Sequence, residues 1–101
     1  MRVIASFTII PINAGTSLSP YIAACERLLA ESGLEHQLHA NGTNLAGEWD
    51  AVSGAIGDCH RLIHDMGASR VFSTAQFGTR TDRPEQTMED KTASVRAKLE
   101  D

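Results

Sequence analysis

The sequence predicts an α+β fold: one antiparallel sheet of four strands, covered by two helices, with an extra C-terminal helix. Three observations carry that prediction. Residues 2–12 are rich in β-branched and aromatic types and alternate in polarity, as a strand does. Two later segments place apolar residues at helical spacing, and each ends at a glycine. Short β-like runs separate and follow those segments, giving the order β-α-β-β-α-β. The 101 residues fit a single domain, 1–101.

In the first strand Val3, Ala5, Phe7 and Ile9 share one face and are all apolar. Ile4, Ser6, Thr8, Ile10 and Ile12 share the other, which is mixed. Ser19-Pro20 reads as a helix start, with serine as the cap and proline at the first helical position. The helix runs to about Ser32 with Tyr21, Cys25, Leu28 and Leu29 as its apolar stripe, and Gly33 is its left-handed stop.

Residues 34–40 read as a second strand and 43–48 as a third, joined by a two-residue turn at Asn41-Gly42. Asp50 is the expected cap of a second helix carrying Val52, Ala55, Ile56, Cys59, Leu62, Ile63 and Met66, stopped at Gly67. Its interior glycines, Gly54 and Gly57, are read as points of close packing. Residues 69–77 form the fourth strand. Thr87 caps a last helix with Glu89 and Asp90 in its first turn, where they favour the dipole, and Val95 and Leu99 as a thin apolar seam.

This is the ferredoxin-like βαββαβ antiparallel sheet with an extra C-terminal helix. In that arrangement strands one and three are central and both main helices cover one sheet face. Val3, Ala5, Phe7 and Ile9 then lie under the helices. Ile4, Ser6, Thr8 and Ile10 lie on the open face, where that much isoleucine makes an apolar patch. A second subunit, a ligand or both are expected to cover it, so the chain is expected to be a homo-oligomer.

Composition excludes several classes. Apolar residues are 42% and charged residues 22%, with a net charge of −4. No basic stripe is present to meet a phosphate backbone, so nucleic acid is not an expected partner. No apolar run approaches the roughly 18 residues of a membrane span, and the first residues read as a strand rather than a signal peptide. A cytoplasmic protein with two reduced core thiols, Cys25 and Cys59, is the expectation.

Metal and nucleophile chemistry find little support. His36 and His39 point to opposite faces of one strand. His60 and His64 share a helix face at ligand spacing, but that face reads as solvated surface. Cys59 and His60 are sequence neighbours about 100° apart on a helix, so they form no dyad. No catalytic residue, metal or cofactor is assigned. Arg80, Asp82 and Arg83 in "GTRTDR" form a local ion pair; an oligomer contact and the rim of a ligand site are both open to that loop. "GTSLSP" lacks the lysine and the glycine spacing of a P-loop. It does set the hydroxyls of Thr16, Ser17 and Ser19 beside a helix N-terminus, which suits a cap or a polar ligand.

Several stretches taken together resemble a known family: "IIPINAGTSLSPYIA", "NGTNLAGEWDAV", "CHRLIHDMGASRVFSTAQFGTRTD" and "TMEDKTASV". They resemble the small thiamine-binding protein family of bacteria, archaea and yeast over nearly the whole chain. The resemblance implies ferredoxin-like subunits whose sheets pair across dimers into a tetramer. It also implies non-catalytic binding of a small molecule, thiamine or its hydroxymethylpyrimidine moiety, as a carrier or sensor. Thr16 and Ser17 at the helix start, with Thr8, Thr43 and Thr74 on strands (Ser6 and Ser73 also being available), are then the candidate ligand-binding residues. Many relatives carry an acidic residue before the glycine of the third strand, where this chain has Ala46; if that carboxylate contacts the ligand, Glu48 would have to substitute as the cation partner. Two rival readings are a small oxygenase-like enzyme using His39 or Glu35 in the sheet pocket, and an assembly subunit without a small-molecule ligand.

Overall fold

A computed structural model describes residues 1–100. Its elements are β1 (Arg2–Ile12), α1 (Ser19–Ser32), β2 (Glu35–His39), β3 (Gly42–Glu48), α2 (Trp49–Asp65), β4 (Arg70–Gly78) and α3 (Met88–Leu99). The sheet is antiparallel with strand order β2-β3-β1-β4, so β1 and β3 are central as expected.

Alternation along β1 sorts the layers. Val3, Ala5, Phe7 and Ile9 are buried and face the helices, while Thr8 and Ile10 are exposed on the other side. Leu45 of β3, Cys25 and Leu29 of α1, and Val52, Cys59 and Ile63 of α2 complete the core. Burying each of these larger aliphatic side chains is worth roughly 1.5–3 kcal/mol. Cys25 and Cys59 are free and buried. Their mutual hydrogen bond, with burial, pushes the Cys59 thiol up, away from thiolate.

Gly33 ends α1 in the left-handed region, at φ 77°. Thr87 caps α3 through a full capping box: its hydroxyl accepts from the Asp90 N–H and the Asp90 carboxylate accepts from the Thr87 N–H, both at 3.0 Å.

Six expectations need correction. Ser19 does not cap α1; it is the first helical residue. Leu18 precedes it in a helical conformation, and its carbonyl accepts from Tyr21 and Ile22 at 3.0 and 3.1 Å. Asp50 lies in the first turn of α2 rather than at its cap. Glu48 occupies the cap position, but its carboxylate is held by the Met1 ammonium at 2.8 Å.

The β2–β3 turn is Ala40-Asn41, because His39 pairs with Gly42. Gly42 is needed for a different reason: a Cβ there would sit 2.5 Å from the Phe7 carbonyl oxygen. Gly54 and Gly57 mark no close packing, since Gly54 has open space around it and Gly57 meets only the flexible end of Arg61. His60 is not a plain surface residue: its Nε2 lies 2.7 Å from Ser73 Oγ of β4, because this side of α2 packs towards β4, while His64 is exposed and its Nδ1 lies 2.8 Å from the nearby Ala68 carbonyl.

Finally, Val95 and Leu99 are exposed. Met88 is the buried anchor of α3, and it lines a hollow with Ile4, Ser6 and Asn44 on the face opposite α1 and α2. The sheet face away from the main helices is therefore partly covered by the chain itself at the Ile4 end, and open at the Ile10 end.

Candidate functional site

A hollow of about 300 Å³ lies where the first half of α1 meets the end of β1 and the tip of the β2–β3 hairpin. That volume is at the lower end of small-molecule sites. Its lining is mostly apolar, with Phe7, Ile9, Leu18, Ile22, Cys25 and Leu38. One carboxylate enters it, that of Glu26.

The position of Glu26 follows from helical geometry. Residues 22, 25, 26 and 29 share one face of α1. Cys25 and Leu29 seat that face in the core, and Glu26 is carried to the edge of the same face, half-buried. Thr43 meets it there: its Oγ1 donates to Glu26 Oε2 at 3.1 Å. Thr43 is 5% exposed, on the helix side of the sheet opposite Phe7. A second, more open hollow adjoins, sharing Leu18, Ile22, Glu26 and Leu38 and adding Thr16, Ser17 and Ser19. No side chain caps the start of α1, and the hydroxyl residues Thr16, Ser17 and Ser19 are exposed beside this hollow.

Thus Thr16, Ser17 and Thr43 are gathered around Glu26, while Thr8 borders the hollow with its side chain on the far sheet face. Two candidates stand apart. Thr74 pairs with Thr8 across β1–β4 and is exposed on the far sheet face, where Ser6 is half-buried. Glu48 pairs with Arg2 at the other end of β3, five residues or roughly 17 Å from Thr43. There it is fully exposed and the Met1 ammonium holds its carboxyl below the usual value. Ser73 faces α2 and is engaged by His60. Ala46 is 2% exposed, opposite Ile4.

Glu26 is the residue that motif reading missed. Its signal is a lone acidic side chain within an apolar helical stripe, and its meaning appears only when Thr43 packs against it.

Of the rival residues, Glu35 forms an ion pair with Arg2 at 3.2 Å, away from the hollow, whereas His39 lines the hollow and its Nε2 lies 3.5 Å from Ser6 Oγ. Among the described residues no group of three or more His, Cys, Asp or Glu is placed to hold a metal, and no helix is long and apolar enough to cross a membrane.

The profile of the family described as thiamine-binding protein matches residues 5–96. The chain belongs to the thiamine-binding protein family. Among relatives of this family is a UPF0045 protein of Synechocystis, 49% identical over 99% of this chain and 82% of its own length. Another UPF0045 protein, from Eremothecium gossypii, is 33% identical over 100% of this chain and 96% of its own. The crystal structure of a hypothetical protein from Methanocaldococcus jannaschii superposes with a TM-score of 0.85 at 29% identity, covering 93% of this chain and 95% of that one. A candidate thiamine biosynthesis/salvage protein of Thermotoga maritima shares the fold, with a TM-score of 0.79 at 16% identity over 94% of this chain and 99% of that one. The ferredoxin-like fold of the thiamine-binding family is thus the fold of this chain.

Proposed function

We propose that this chain binds thiamine or its hydroxymethylpyrimidine moiety, without catalysis, in the hollow beside Glu26, as a carrier or sensor in the cytoplasm. The observation that carries the reading is a carboxylate, oriented by a buried threonine, at the wall of a mostly apolar cavity. An aminopyrimidine brings an exocyclic N–H donor that a carboxylate accepts, and its ring fits apolar walls. Thiamine's cationic thiazolium is also attracted to a carboxylate at low local dielectric. Glu26, rather than Glu48, is therefore the acidic partner in this reading, with Thr16 and Ser17 as flanking polar groups.

The sheet face around Thr8 and Thr74 serves assembly in the same reading. Ile10 is 42% and Phe72 54% exposed, and they pair across β1–β4. Self-association there, into dimers and a tetramer, removes the apolar surface from water.

Calorimetric titration of the chain with thiamine and with hydroxymethylpyrimidine tests the binding reading. Saturable heat for either, lost in Glu26→Gln, is expected. Saturable heat unchanged in that variant moves the site elsewhere.

A further inference from the structure

The arginine loop after β4 has no part in the thiamine reading, yet positive charge concentrates there. Arg2, Arg80, Arg83 and Lys91 line one small hollow. Four of the nine lysines and arginines of an acidic chain meet at that point. Three segments bring them together: the start of β1, the loop after β4 and the first turns of α3. The arrangement is tied in place, because Arg2 Nε donates to the Gln86 carbonyl at 3.0 Å and the Thr87–Asp90 box fixes the start of α3.

Converging like charges repel unless something answers them. Glu35 answers Arg2, and Asp82 answers Arg80 through its two carboxylate oxygens. Among the described residues Arg83 and Lys91 belong to no ion pair. Lys91, without a paired carboxylate, and Arg83, within electrostatic reach of Asp82 and Asp90 but bonded to neither, both border the hollow. Its free volume is about 20 Å³, room for a water-sized oxygen atom or two.

This small hollow adjoins a larger one of about 380 Å³, with Ile4, Gly78 and Lys91 common to both. The larger hollow is lined by Ser6, Gln37, Asn44 and Gln76, with Phe77 and Met88 as apolar surface. Amide side chains offer donors and acceptors together, as the edge of a planar heterocycle requires. Both hollows lie at the Arg2–Ile4 end of β1, away from the Phe7–Ile10 end where Glu26 stands.

We infer that the α3 side of the sheet is a second binding site, which takes a phosphomonoester of a small heterocycle. The phosphoryl oxygens meet the Arg83 guanidinium and the Lys91 ammonium. The ring lies among Gln37, Asn44 and Gln76.

Thermal unfolding of the whole chain tests this, with inorganic phosphate, cytidine and cytidine 5′-monophosphate as ligands and sodium chloride at matched ionic strength as control. Phosphate is expected to raise the midpoint saturably, and the monophosphate to saturate at a concentration at least tenfold lower. Arg83→Gln/Lys91→Gln is expected to move both saturation points up at least tenfold while leaving thiamine binding unchanged. Lys91→Met alone, at an exposed helix position, carries the same comparison if the double variant does not fold. A midpoint that follows ionic strength alone, or a variant that saturates where the parent does, overturns the proposal. Phosphate saturation with no gain from the ring overturns the role given to the larger hollow.

Discussion

Thr43 donates its hydroxyl to Glu26 across the contact between β3 and α1, at 3.1 Å, and so fixes a carboxylate at the wall of an apolar hollow. The two residues are 17 apart in sequence. Thr43→Val keeps the shape and removes the donor. It is expected to cost about 1–2 kcal/mol of stability and to weaken thiamine binding several-fold, because the carboxylate loses its orientation. Glu26→Gln removes the charge and is expected to weaken binding at least tenfold, the equivalent of about 1.4 kcal/mol. Titration of the two variants beside the parent checks both.

The glycines separate by what surrounds them. Gly42→Ala forces a Cβ against the Phe7 carbonyl and is expected to destabilise by ~1–3 kcal/mol. Gly54→Ala places a methyl in open space within a helix and is expected to stabilise by about 1 kcal/mol. Urea unfolding of both variants gives the opposite signs directly.

Helix α3 depends on its cap in a way that pH reveals. Hydrogen bonds from the Thr87 N–H and side chain hold the Asp90 carboxyl below its usual value. A carboxyl depressed in the folded state contributes stability above its unfolded pKa, about 3.9, and that contribution is lost as pH falls through the folded value. Protection of the first amides of α3 from hydrogen exchange is therefore expected to fall below about pH 4. In Thr87→Ala, which costs about 1 kcal/mol in cap stability, the same amides are expected to be weakly protected throughout. Ser19→Ala is expected to change little, because Ser19 caps nothing.

The proposed self-association rests on the exposed pair Ile10 and Phe72. Phe72→Lys is expected to lower the mass seen by sedimentation without altering the circular dichroism. An unchanged mass places the subunit contact elsewhere.

The layer order was legible because it is local. The apolar set of β1 repeats every second residue, Gly33 terminates a periodic run, and Thr87 stands three residues before Asp90. What was not legible depends on distant pairing. Gly42 looked like a turn residue, since Asn-Gly favours turns, but its small size serves the approach to Phe7. Glu48 looked available until the Met1 ammonium was found on it. Glu26 belongs to the site because β3 runs antiparallel to β1 and brings Thr43 beneath α1. Local chemistry leaves Thr16 and Ser17 open between cap and ligand, the family resemblance makes them ligand candidates, and they lie beside the same carboxylate. Met88 gave no periodic signal, because one buried residue suffices to seat the start of α3.

The most direct test of the proposed thiamine site is amide chemical-shift mapping of the labelled chain during addition of thiamine. The account predicts saturable shifts concentrated at Leu18, Ile22, Glu26, Leu38 and Thr43, and their loss in Glu26→Gln. Shifts confined to the β4 and α3 side, or none at millimolar thiamine, would contradict it.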